Sequence, residues 1–86
     1  MLYQAIYAVH ANRITNAEVL PCNDGEFNTE RDAWAEIEAR FRVELLETDW
    51  MLSHSEAIEP KLDFEYWEAR KLLCKQMLDK ACQKVQ

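Results

Sequence analysis

Glycine and proline are scarce in this 86-residue chain, which contains one glycine and two prolines. Loops that cradle phosphate groups need several glycines, because their backbone must turn tightly and approach the ligand closely. The composition therefore excludes nucleotide-binding motifs of that kind. The chain also lacks an apolar run near the roughly 18 residues of a membrane-spanning helix, and it lacks the charged and then apolar start of a secretory leader. We therefore expect neither membrane spanning nor secretion.

Basic residues are also few. The chain has ten Lys and Arg and sixteen Asp and Glu, which gives a net charge of −6. An anionic protein is repelled by phosphate backbones and by anionic lipid surfaces, so we do not expect direct binding of nucleic acid or membranes. The three cysteines, Cys22, Cys74 and Cys82, contain no C-x-x-C pair. An odd number of cysteines at such spacing fits a reducing compartment, so the predicted location is the cytoplasm.

The length and the 49% apolar content predict one domain, residues 1–86, with a single small core. Small cores are marginal, and domains of this size often gain stability by dimerising or by docking on a partner. Association with another chain is therefore expected from size alone.

The N-terminal quarter of the chain has the pattern of a β-hairpin. Residues 2–9 and 14–20 are rich in β-favouring side chains and alternate approximately with period two. Asn12 lies in the short polar turn between them, where it can adopt a positive φ. Pro21 ends the second strand, and the turn cluster that follows contains Gly25, the one residue that adopts left-handed angles freely. We interpret Gly25 as structural.

The next segment predicts one long helix from Thr29, a favourable N-cap, to about Leu52. Two apolar stripes lie on nearly opposite sides of this helix: one comprises Trp34, Ile37, Phe41, Leu45 and Leu52, and the other comprises Ala39, Val43, Leu46 and Trp50. A helix with two apolar stripes requires two neighbours. We therefore expect the hairpin to cover one stripe and a C-terminal helix to cover the other.

The C-terminal third predicts a second helix over residues 63–84, with Asp63 as its N-cap. A capping-box spacing over residues 53–56 predicts a short helical turn in the linker, before Pro60 interrupts it. Residues 61–67 also alternate with period two, so a third strand is the alternative there. The predicted fold class is α+β, in the order β-β-α-α.

The residues that carry chemistry do not form a recognisable motif. His10 and His54 have no ligand at metal-binding spacing, so we predict no metal site and no cofactor. Cys74 and Cys82 lie on the apolar side of the second helix and are interpreted as core residues. A thiol-dependent enzyme or sensor would need Cys22 to meet one of the two histidines, and it remains the alternative from another functional class. The leading expectation is a protein without enzymatic activity.

Acidic and aromatic side chains mark the surface of the first helix. A row of carboxylates can imitate a phosphate backbone and block a nucleic-acid-binding protein. The alternative is an ordinary solvent-exposed face. Arg40 and Arg42 each lie four residues after a glutamate, which is the favourable order for an ion pair on a helix. Tryptophan and tyrosine are favoured anchors in protein interfaces. The alternative is that Trp34, Phe41 and Trp67 form the core and that Trp50 closes it from the other side. The candidate partner-binding residues are Glu36, Glu44, Glu47, Trp50 and Tyr66.

The order of a hairpin (YQAIYAV, then ITNAEVL), a turn (CNDGEFNT) and a helix opening ERDAWAEIEARF resembles small accessory proteins of phages and prophages, including some anti-CRISPR proteins. The resemblance covers roughly residues 2–52. It implies stoichiometric binding that disables or redirects a host protein in the host cytoplasm, without catalysis. We also expect homodimerisation, through a free edge of the hairpin or through apolar surface of the second helix.

Overall fold

The computed structural model describes residues 1–54 and 61–86, with side chains from residue 64 onward in the second segment. Its elements are β1 (Tyr3–His10), β2 (Arg13–Pro21), α1 (Glu30–Ser53) and α2 (Lys61–Val85). This order confirms the predicted α+β fold of a hairpin followed by two helices. The short helical turn predicted for the linker lies outside the described residues.

The two strands pair antiparallel, with Tyr3 opposite Pro21 at one end and His10 opposite Arg13 at the other. The turn between them contains two residues, Ala11 and Asn12, whose φ angles are 51° and 65°. Positive φ at both central residues matches the right-handed twist of the flanking strands. The positive φ predicted for Asn12 is therefore confirmed, whereas Ala11 adopts an angle that is unfavourable for a residue with a Cβ atom.

Helix α1 begins where the sequence predicts. The Thr29 side chain accepts a hydrogen bond from the backbone N–H of Asp32 at 3.0 Å, and Thr29 itself has an extended backbone. Glu30 and Asp32 place carboxylates in the first turn, where they interact favourably with the helix dipole. The N-cap prediction is therefore confirmed.

One apolar stripe of α1 forms the core. Ile37 and Phe41 are fully buried, and Trp34 is 4% exposed. The hairpin and α2 both pack against this stripe, and the buried cluster around it includes Ala5 and Ala17 from the strands and Cys74, Met77 and Ala81 from α2. The small alanines of the hairpin leave room for α2 on the same side of α1.

The expectation that α2 covers the second stripe is wrong. Val43, Leu46 and Trp50 are 64%, 70% and 54% exposed, and Ala39 is exposed as well. A helical wheel records which positions are apolar, but it does not show on which side a later helix returns. Helix α1 is consequently an outer helix with one uncovered apolar face.

Helix α2 runs without interruption from Lys61 to Val85. Residues 61–67 are therefore helical, as favoured, and the alternative of a third strand is wrong. Because the helix begins at Lys61, Asp63 lies in its first turn instead of capping it. Cys74 is fully buried as predicted, but Cys82 is exposed, because it lies one position beyond the core residue Ala81 and is rotated by about 100°.

The molecule is thin and has a large surface for its mass. Its Cα atoms extend over 48 × 25 × 14 Å and give a radius of gyration of 14.7 Å, compared with about 12 Å for a compact domain of this length. The accessible surface is 5942 Å², whereas a compact monomer of this mass exposes roughly 5,300 Å². The protein therefore buries a smaller fraction of its surface than a compact monomer of the same mass does.

Gly25 is required structurally because the backbone of Tyr3 passes too close to leave space for a side chain. A Cβ atom at this position would lie 2.3 Å from the carbonyl oxygen of Tyr3, and the φ angle of Gly25 is not positive. We therefore expect Gly25→Ala to lower the free energy of unfolding by about 1–3 kcal/mol through overpacking. Urea denaturation measures this loss. Asp24→Ala, in the same turn but exposed, should change it by less than about 0.5 kcal/mol, and equal effects of the two substitutions would contradict the explanation.

Candidate protein-interaction surface

The uncovered face of α1 carries a continuous apolar line, which we call the outer stripe: Ala39, Val43, Leu46 and Trp50. Spacings of four, three and four residues place these side chains on one face of the helix, as in a coiled-coil seam. The three large side chains of this stripe are each more than half exposed. Single exposed apolar residues are normal on a monomer, whereas large contiguous apolar patches are typical of interaction sites.

Trp50 is held in position at the end of the outer stripe. Its ring stacks on the imidazole of His54, with 4.3 Å between ring centroids and 18° between planes. The Nδ1 atom of His54 also lies 2.8 Å from the Trp50 carbonyl oxygen, and the His54 backbone N–H caps the last turn. A large aromatic side chain that is ordered and half exposed loses little conformational entropy when it binds. Trp50 is therefore a suitable anchor for a partner.

The groove beside the outer stripe extends the apolar surface onto the hairpin. Val9, near the end of β1, is 63% exposed, and it lines one groove together with Ile14, Arg40 and Val43. The groove also includes the polar side chains Asn12 and Glu44, so apolar and polar surface alternate between the hairpin and the helix face.

Two of the predicted partner-binding acids are engaged within the chain. Glu47 accepts a 2.6 Å hydrogen bond from Arg13 of β2, and this bond lowers the pKa of the Glu47 carboxyl. Glu44 lies 3.0 Å from Arg70 of α2 and 3.6 Å from Arg13. Arg70 is 4% exposed. These ion pairs join the hairpin tip to both helices and partly neutralise the two acids.

The other predicted residues lie elsewhere. Glu36 is half-buried. Burial raises the pKa of Tyr7, and the negative charge of Glu36 adds a smaller rise. Tyr66 is 44% exposed, packs edge-on against Trp67, and lines a separate groove with His10. Among the predicted partner-binding residues, only Trp50 belongs to the outer stripe. The sequence shows that the remaining stripe residues are apolar, but it predicts that the second helix covers them.

The structure does not bring Cys22 to a histidine. Cys22 follows β2 at the end of the hairpin opposite to His10, about 25 Å away along a strand of this length. Helix α1 begins near that same end and carries His54 beyond its last residue, about 36 Å along the helix axis. Burial raises the pKa of the Cys74 thiol, which keeps that thiol protonated.

The described residues contain no group of three or more His, Cys, Asp or Glu side chains placed to hold a metal ion. In the same part of the chain, neither helix combines the length and the apolar character needed to cross a membrane. Comparisons with profiles of known protein families, with curated proteins and with solved structures find no match. The outer stripe is the structural basis of the function proposed below.

Proposed function

We propose that this protein is a small non-enzymatic binding module that docks on a partner protein through the outer stripe. The observation that carries the proposal is the exposure of Val43, Leu46 and Trp50 along one face of α1. An amphipathic helix that presents anchors at this spacing binds an apolar groove or a second helix of its partner. The resemblance of residues 2–52 to phage accessory proteins suggests inhibition of a host protein as the outcome of that binding.

Imitation of nucleic acid by the α1 carboxylates receives less support. A mimic needs a row of unpaired negative charges, yet Glu44 and Glu47 are bound to arginines of the same chain, and Glu38 is paired with Arg42 on the surface. An apolar docking surface also predicts binding that persists in high salt, whereas mimicry predicts binding that weakens as salt rises. The salt dependence of partner binding therefore distinguishes the two functions.

The proposal is tested by affinity capture of proteins from the native host with the immobilised full chain. Leu46→Lys places a charge in the outer stripe and should reduce capture of a stoichiometric partner at least about tenfold, as expected for an interface anchor. Leu72→Lys on α2 is the matched control, because Leu72 is also exposed but lies outside the stripe. A partner retained equally by wild type and Leu46→Lys would overturn the proposed surface.

A further inference from the structure

We propose that the outer stripe also binds a second copy of this chain, with the two α1 helices antiparallel. This inference depends on the proposed function, because both take the outer stripe to be a docking surface. It specifies one partner for that surface, a second copy of the chain. It differs from the sequence-based expectation of dimerisation through a strand edge or through α2.

The apolar side chains of two outer stripes fit together when the helices are antiparallel. In an antiparallel pair centred between Val43 and Leu46, Val43 lies opposite the partner's Leu46. Ala39 then lies opposite the partner's Trp50, so a small side chain leaves room for a large one. A parallel pair would instead oppose Trp50 to itself and Ala39 to itself, which leaves one layer crowded and one layer empty. The volumes therefore favour the antiparallel arrangement.

The charged side chains along the two flanks of the stripe are complementary in the same antiparallel arrangement. Arg40 and Glu47 lie on the hairpin side, since Arg40 lies over the Tyr7 ring and Glu47 binds Arg13. Residues on the same flank of two antiparallel helices face each other, so Arg40 comes close to the partner's Glu47. The Glu47 carboxylate binds Arg13 of its own chain through Oε1, and its other oxygen is the acceptor for Arg40. Two-fold symmetry repeats this pair, which gives two ion pairs on this flank.

The opposite flank, which faces α2, has the same order of charges. Arg42 lies before the centre of the stripe in sequence, and Asp49 lies after the centre. The Asp49 carboxylate is 3.1 Å from the Nζ atom of Lys71 of α2. In the antiparallel arrangement Arg42, which is exposed and also pairs with Glu38 of its own helix, comes close to the partner's Asp49, which again gives two symmetric pairs. A parallel arrangement would bring Arg42 only to the partner's Glu47. The flanking charges thus support the same orientation as the apolar layers.

A stable pair must also bury enough surface. A specific interface buries at least about 1,000 Å² in total, or roughly 500 Å² from each copy. The exposed side chains Val43, Leu46 and Trp50 contribute to this area together, because they lie in one line along α1. Val9 lines the same groove as Val43 and adds apolar surface beside the stripe. A thin fold with excess surface therefore gains burial by pairing along α1.

Pairing of two copies has a regulatory consequence. A copy whose outer stripe is covered by a second copy cannot use that stripe for another protein. Self-association and target binding are therefore mutually exclusive, and the apparent affinity for a target should fall as protein concentration rises above the dimer dissociation constant.

Sedimentation velocity of the full chain, from about 1 µM to 1 mM, tests self-association over the range of modest affinities. We expect the sedimentation coefficient to rise from monomer to dimer. The variants R40E/R42E and E47K/D49K should each weaken dimerisation at least about tenfold, because all four flanking charges then have one sign. An equimolar mixture restores all four opposite-charge pairs and should form a heterodimer.

Orientation is tested by cysteine cross-linking in a C22S/C82S background, which also serves if a charge-reversal variant fails to fold. Val43→Cys mixed with Leu46→Cys should form a disulfide-linked dimer under mild oxidation, whereas Val43→Cys alone should not. Efficient linking of Val43→Cys alone would show a parallel pair and would overturn the arrangement. A wild-type chain that remains monomeric at all concentrations would overturn self-association. In that case, loss of a captured partner through Leu46→Lys would still support the proposed function.

Discussion

Phe41→Ala should lower the free energy of unfolding by about 3–5 kcal/mol, the largest effect we expect from a single substitution. Phe41 is fully buried and is the largest side chain with no exposed surface. It lies on the core stripe of α1, where the hairpin and α2 both pack. A chain of 86 residues has a total stability of about 4–13 kcal/mol, so this cavity removes a large part of it. Urea denaturation at low protein concentration measures the loss.

A matched pair of leucines separates the covered stripe from the uncovered one. Leu45 packs against the core, whereas the adjacent Leu46 is 70% exposed. We expect Leu45→Ala to cost about 2 kcal/mol and Leu46→Ala less than about 0.5 kcal/mol, because only the first removes buried apolar contacts. Equal losses at the two positions would contradict the assignment of the outer stripe to solvent.

Glu44→Ala should lower the free energy of unfolding by about 3 kcal/mol, because it removes the carboxylate that faces the buried guanidinium of Arg70. The side chain of Arg70 is 3% exposed and lies 3.0 Å from Glu44. Breaking a buried pair by removing one partner leaves an uncompensated charge, which is costlier than the absence of the pair. Chemical denaturation of the purified variant measures this effect.

The double variant Glu44→Leu/Arg70→Met should recover most of the loss, because two apolar side chains replace both charges. Glu38→Ala is the surface control. Its partner, Arg42, is four residues away on the same helix and largely exposed, so we expect a loss below about 0.5 kcal/mol. A loss at Glu44 no larger than that at Glu38 would show that burial of Arg70 does not make its ion pair important for stability.

Local interactions explain why most of the elements were predictable. Alternation of side chains, the polar turn at Asn12 and the stop at Pro21 define the hairpin from within a few residues of each position. The N-cap at Thr29 likewise depends on a hydrogen bond three residues away. The charge pair between Glu38 and Arg42 is equally local and was predicted from its i,i+4 spacing.

The ion pairs of Glu44 and Glu47 were not predictable, because their partners are distant in sequence. Arg13 and Glu47 are 34 residues apart, and Arg70 and Glu44 are 26 residues apart. Sequence spacing therefore assigned Glu44 and Glu47 to a free acidic surface, although arginines from other elements reach them. Trp50 was identified as an anchor from its residue type, and its stacking on His54 follows from the local helix geometry.

The sequence by itself determined the four elements, their order and the presence of two apolar stripes on α1, because these depend on contacts between near neighbours and on helical periodicity. Only the tertiary structure decided which stripe became core and which remained in solvent. That outcome depends on where the hairpin and α2 return in space, and the small side chains Ala5 and Ala17 allow both to share one side of α1. The candidate site exists because the other side was left uncovered.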